Sequence, residues 1–100
     1  MYVVVVNFIA KPEAADAFRT AVLAQAKNSL ANEAGCRVFD VAAPTPESSE
    51  VFLYEVYENE AAFQVHLRSA HFLDFDETTK PMTVSKDVRT YQLLSESDTP

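Results

Sequence analysis

Tyr2-Val3-Val4-Val5-Val6 begins a strand that is apolar on both faces. β-Branched side chains suit a pleated, extended backbone, and the pattern runs over residues 1–9 with Phe8 and Ile9, interrupted only by Asn7. Val3, Val5 and Ile9 project to one side of the strand, and Tyr2, Val4, Val6 and Phe8 to the other. A sheet built on such a strand needs cover on both sides. Helices of the same chain supply one cover. An open sheet face carrying this much Val, Phe and Tyr would adhere to other apolar surfaces. Two sheets packed face to face in a homodimer are therefore the expected second cover.

The order of the remaining elements can be read from period and punctuation. Pro12-Glu13 starts a helix, since proline is tolerated in the first turn and Glu13 and Asp16 sit well near its positive end. Ala15, Phe18, Val22, Ala26 and Leu30 form one apolar stripe along it. The helix runs to about Asn32 and stops at Glu33-Ala34-Gly35, with Gly35 suited to a left-handed position. A second strand follows over Cys36–Ala42, with Cys36, Val38 and Asp40 on one face and Arg37, Phe39 and Val41 on the other. Residues 44–49 make a turn, and residues 51–57 a third strand, so that the two strands pair as a hairpin. Asn59 caps a helix over residues 60–67, and Ser69 caps a further turn through residues 72–78 that Pro81 ends. Residues 82–94 contain the last strand. The order β-α-β-β-α-β is the split βαβ, ferredoxin-like arrangement of an α+β domain. Residues 1–94 read as one domain and 95–100 as a polar, acidic tail that frays.

Charge narrows the partners. A net charge of −7 and eight scattered Lys and Arg residues leave no basic stripe, so neither nucleic acid nor an anionic membrane surface is expected. No apolar run approaches the ~20 residues of a membrane span. The single cysteine, Cys36, cannot form an internal disulfide, and the N-terminus lacks the features of a secretory signal; both fit a reducing, cytoplasmic setting.

Groups able to move protons near neutrality concentrate between Tyr54 and His71. His66 shares a helical face with Ala62 and lies close to Phe63 and Leu67. It is either a core-edge histidine held by one hydrogen bond or a base facing a pocket. Glu55 sits mid-strand with Leu53 and Tyr57 on its face, where a carboxylate is costly unless paired or protonated. It either pairs with an arginine such as Arg37 or Arg89, or faces a pocket and orients His66 or acts as the base. Tyr54 and Tyr57 point to opposite faces of that strand, so at most one enters a helix–sheet pocket. His71 caps the short helix, gates the pocket or lies free on the surface. Asn7 needs a polar partner or a ligand oxygen if buried. The histidines, cysteine and acids show no metal-ligand spacing, and with Gly35 as the sole glycine there is no phosphate loop, so neither metal nor cofactor is expected.

Three stretches resemble a known family. They are Glu33-Ala34-Gly35-Cys36-Arg37-Val38-Phe39-Asp40-Val41, then Phe52-Leu53-Tyr54-Glu55-Val56-Tyr57, then Ala61-Ala62-Phe63-x-x-His66 with Ser69-Ala70-His71-Phe72. Together they look like the antibiotic biosynthesis monooxygenase-type domain. That family includes small quinol monooxygenases, tailoring oxygenases, haem-degrading enzymes and an isomerase of phosphorylated autoinducer-2. The resemblance implies a dimeric α/β barrel of ferredoxin-like subunits. It also implies a cofactor-free monooxygenase acting on a small quinol or phenol, with His66, Glu55 and Tyr54 as the catalytic set and Asn7, His71 and Phe63 as substrate contacts. The haem-degrading relatives carry an Asn on the first strand but also use a tryptophan, which this chain lacks. The isomerase reading expects a first-helix histidine where this chain has Lys27, a residue that would still suit phosphate. A non-catalytic dimer that binds a small aromatic is the third reading.

Overall fold

A computed structural model describes residues 1–95. The tail expected to fray lies, from residue 96 onward, outside the described residues. Strand β1 spans Tyr2–Ala10, helix α1 Ala15–Asn32, strands β2 and β3 Cys36–Ala42 and Glu50–Tyr57, helices α2 and α3 Glu60–Arg68 and Ala70–Thr79, and strand β4 Thr83–Gln92. Single 3-10 turns at Pro12–Ala14 and Lys80–Met82 lead into α1 and β4. The four strands form one antiparallel sheet in the order β2-β3-β1-β4, with the helices on one side. This is the ferredoxin-like topology expected from the order of elements.

Register decides what each strand shows to the helices. Val4 pairs with Glu55, Val6 with Leu53 and Phe8 with Val51, and all six face inward. Val3, Val5 and Asn7 stand opposite Val56, Tyr54 and Phe52 on the other face. The core is centred on Phe18, Val22, Val4, Val51 and Tyr57, which are almost wholly buried. Phe8, Phe18 and Phe75 meet edge-on or tilted, with ring centroids 4.9–6.4 Å apart. Among the described residues no helix covers the far face of the sheet, and β4 is exposed along nearly its whole length.

Three local expectations change. The stripe of α1 ends at the buried Ser29, while Leu30 is half exposed, because the helix period carries the inward face from Ala26 to Ser29. Strand β2 does not alternate simply. A bulge near Arg37 lets Cys36 and Phe39 both face the helices, opposite Tyr57 and Glu55, and turns Val38 to the open face. Gly35 has no positive φ. Its small size is needed for another reason: a Cβ there would stand 2.5 Å from the Cβ of Ala62. Gly35 lets α2 settle against the entry to β2.

Candidate active site

Two helix caps fix the corner that carries both histidines. The Asn59 side chain accepts from the backbone N–H of Ala62 at 2.9 Å and starts α2. Ser69 ends α2 and starts α3. Its hydroxyl donates to the His66 carbonyl at 2.7 Å and accepts from the Phe72 N–H at 3.3 Å. His66 in the last turn of α2 and His71 in the first turn of α3 are thereby turned towards one point.

Glu33 occupies that point. It is the residue that closes α1, its own N–H bonded to the Ser29 carbonyl. Its side chain is buried, and Oε2 lies 2.8 Å from His66 Nδ1 and 2.6 Å from His71 Nε2. The other oxygen, Oε1, is buried without a partner among the described residues. Local sequence does not mark Glu33 as a site residue, because an acid next to a helix-ending glycine looks like part of a stop signal. Its place in the Glu33-Ala34-Gly35-Cys36 segment is the only clue to more. The same three residues offer donor atoms within 4.8 Å of one another, the make-up of a cation site, which local spacing did not suggest because Glu33 is remote in sequence.

His66 also lines a small, partly open cavity of about 30 Å³ between helices and sheet. Phe8, Phe39, Phe72 and Phe75 form apolar walls, and Glu55 and Lys86 share the space with His66. Burial pushes the His66 pKa below its ordinary 6.5, while the hydrogen bond and charge of Glu33 oppose that shift. Burial raises Glu55 from 4.5 to about 7, against the lowering effect of a hydrogen bond from Tyr57. That bond, from the Tyr57 hydroxyl to Glu55 Oε1, measures 2.6 Å. Tyr57 itself is held well above a phenol's usual range by burial and by the Glu55 charge. The partner of His66 is thus Glu33, and the partner of Glu55 is Tyr57, not an arginine; the expected pairing of Glu55 with His66 is not formed.

Lys86 reaches the cavity from β4, opposite Phe8 in the register. Its ammonium lies 5.6 Å from the ring centres of Phe8 and Phe72, and 3.3 Å from Asp76 Oδ1 on α3. It is the one cationic side chain on the cavity wall among the described residues. Nothing in its local sequence marks it; only the β1–β4 register places it there.

The other expected site residues divide by face. Phe63 is buried beside His66, their rings 6.1 Å apart and nearly parallel, and it also packs on Tyr57 and Tyr2. His71 reaches the site through Glu33 and also lines an outer cleft of about 550 Å³ with Arg68 and Ser69. Tyr54 and Asn7 are not brought to His66. Tyr54 lies on the open face beside Val38 and Val56, and Asn7 on the same face beside Phe52 and Asp87. The alternation of β3 makes Tyr57 the tyrosine of the helix–sheet interior. Lys27 is exposed on α1. Cys36 is buried and its thiol is pushed up to about 12, chiefly by burial, so it is inert packing.

The arrangement joins a neutral imidazole, a carboxyl that changes charge near neutrality and an ammonium around an apolar space. Such a set can remove a proton and steady the anion left behind.

Comparison with known proteins agrees with the fold. The family model described as Antibiotic biosynthesis monooxygenase matches residues 1–78. No curated protein matches the chain in sequence. Among solved structures, a Nitrosomonas europaea protein that carries the antibiotic biosynthesis monooxygenase name superposes with a TM-score of 0.88 at 25% identity, covering 95% of this chain and 100% of that one. A similarly named protein of Bacteroides thetaiotaomicron gives 0.89 at 22% identity, covering 99% and 94%. A Mycobacterium tuberculosis protein gives 0.87 at 24% identity, covering 97% and 98%. No described helix is long and apolar enough to cross a membrane.

Proposed function

The chain belongs to the antibiotic biosynthesis monooxygenase family, and on that footing we propose that it is a cofactor-independent monooxygenase that oxidises a small quinol or phenol with molecular oxygen. The observation that carries this reading is the sharing of one apolar cavity by a buried, neutral-leaning His66 and by Glu55, whose pKa is about 7.

His66 takes the phenolic proton. The electron-rich phenolate passes one electron to oxygen, giving a ring radical and superoxide. These combine at a ring carbon that bears hydrogen, forming a C–O bond and a hydroperoxide. Loss of the carbon-bound proton breaks the O–O bond. One oxygen atom stays as a carbonyl and the other leaves as water, with the two protons removed from substrate. All four electrons come from the substrate, so the chemistry asks of the protein a base, a dry pocket and orientation. The cavity as it stands has room of the order of one water (~30 Å³ in the liquid). On this reading a ring needs the cavity to widen, and Phe72 and Lys86, which line it beside the Lys86–Asp76 contact, are the side chains that would move. The Lys86–Asp76 pair, with side chains 35% and 36% exposed, is a weak closure.

The same reading makes the protein a homodimer. The uncovered sheet face carries Val5, Phe52, Tyr54 and Tyr91, and a second copy covers it most simply.

Oxygen uptake with a panel of reduced quinols, corrected for autoxidation, tests the activity. Uptake that needs both the protein and His66 is the expected result. Turnover undiminished in His66→Ala would remove the base assignment, and no protein-dependent uptake would remove the oxygenase reading. One observation favours isomerisation of a phosphorylated dione as a second reading: Arg68 and His71 share the outer cleft. That reading expects phosphate-sensitive binding lost in Arg68→Ala, with no oxygen consumed.

A further inference from the structure

We infer that Glu33 is the positioning residue of the site: its carboxylate fixes His66 in the Nδ1–H tautomer, so that Nε2 presents its lone pair to the cavity. The inference rests on the reading of His66 as base.

An ionised carboxylate only accepts hydrogen bonds. Glu33 Oε2 lies 2.8 Å from His66 Nδ1, and with Glu33 as the accepting carboxylate this contact assigns the ring hydrogen to Nδ1. A neutral imidazole has one ring proton, which leaves Nε2 bare. No hydrogen bond joins Nε2 to another described residue, and the ring borders the cavity. The opposite tautomer would aim an N–H at the substrate and would be unable to take its proton; loss of the tautomer-fixing acid in a serine-protease triad has that consequence.

Glu33 is suited to hold the ring still. It sits where α1 ends, on backbone fixed by its bond to Ser29, and the same oxygen receives His71 Nε2 at 2.6 Å. His71 thus clamps the carboxylate from the cleft side while His66 Nδ1–H donates to it from the cavity side. The Ser69 hydroxyl, bonded to the His66 carbonyl, locks the other end of the unit. His71 and Glu33 border the outer cleft, and His66 and Glu55 the inner cavity, so Glu33 is the link between the two spaces.

Ring-nitrogen NMR of the ¹⁵N-labelled wild type tests this without reference to turnover. The chain has two histidines, so His66→Gln and His71→Gln assign the signals. In the neutral range His66 should show a protonated Nδ1 and an unprotonated Nε2. An Nε2–H tautomer in the wild type would overturn the inference, and needs no variant to fold. Glu33→Gln should mix the tautomers and lower kcat by roughly 10–100-fold, with KM within about twofold. A tautomer and kcat both unchanged in a folded Glu33→Gln protein would also overturn it. Quinol turnover that survives His66→Ala, beside the stated wild-type tautomer, would instead fault the base assignment alone.

Discussion

Glu55 and Tyr57, two residues apart on β3, face the same side of the sheet and bond to each other at 2.6 Å, phenol to carboxylate. The pair stands in the core against α2, so the carboxylate lacks water, and its pKa rises from 4.5 to about 7. Because the native value lies above the unfolded one, the native state binds the extra proton between them. The stability this contributes is complete below pH 4.5 and is lost as pH climbs through 7. The loss amounts to about 3 kcal/mol at full ionisation. Glu55→Gln keeps an oxygen for the Tyr57 hydroxyl and removes the charge. Urea midpoints of wild type and variant should agree near pH 5, with the variant the more stable at pH 8.5. His66 works in the opposite sense, its lowered pKa costing stability as pH falls below 6.5, so the variant's remaining pH dependence should be at the acid end.

Gly35→Ala should destabilise the fold by about 1–3 kcal/mol, the usual range for overpacking. The new Cβ would meet the Cβ of Ala62, which cannot rotate away. Ala62→Gly removes that obstacle at a helix-propensity cost of about 1 kcal/mol. The double variant should therefore lose less than the sum of the two single changes. Strict additivity in chemical denaturation would show that the contact with α2 is not what Gly35 serves.

The open sheet face gives a prediction about assembly. Tyr54 and Phe52 are over a third exposed on it, Tyr91 half exposed, and no helix of the described chain covers them. Sedimentation of the 11.1 kDa chain should give a dimer, and Tyr54→Asp should weaken it by placing a charge in the apolar patch. Helix content by circular dichroism should be retained. A wild type that sediments as a monomer at micromolar concentration would remove the homodimer.

How far the sequence carried the structure can be seen in particular residues. Element order was legible because β1 and β3 show β-branched residues, Asn59 and Ser69 are good caps, and Pro81 is a hard stop. The bulge in β2 was not, since strict alternation assigns Cys36 and Phe39 to opposite faces and one extra residue reverses that. His66 and Glu55 stood out because a histidine and a carboxylate on apolar faces require an explanation. Glu33 and Lys86 did not, because each looks solvated in its own segment; a helix end and a β-register bring them inward. Tyr54 and Asn7 were grouped with the site by resemblance, yet strand parity turns both to the opposite face.

Lys86 yields the last prediction. Its ammonium is balanced by Asp76 at the surface side and faces Glu55 and His66 across the cavity, lowering the pKa of both. If a phenolate forms beside His66, Lys86 is the group placed to stabilise it. Lys86→Met keeps the apolar stem against Phe8 and Phe72 and removes the charge. Stability should change by under about 1 kcal/mol, because the Asp76 pair is solvent-exposed. Quinol kcat should fall by roughly 10²-fold or more, as on removing one donor to a developing oxyanion. The acid limb of the pH–rate profile should move to higher pH as His66 loses a nearby positive charge. Asp76→Asn is the control: it removes the same surface pair but leaves the ammonium in place, so turnover should persist. Equal losses in the two variants would mean that the strap between β4 and α3, and not the charge facing the cavity, is what turnover requires.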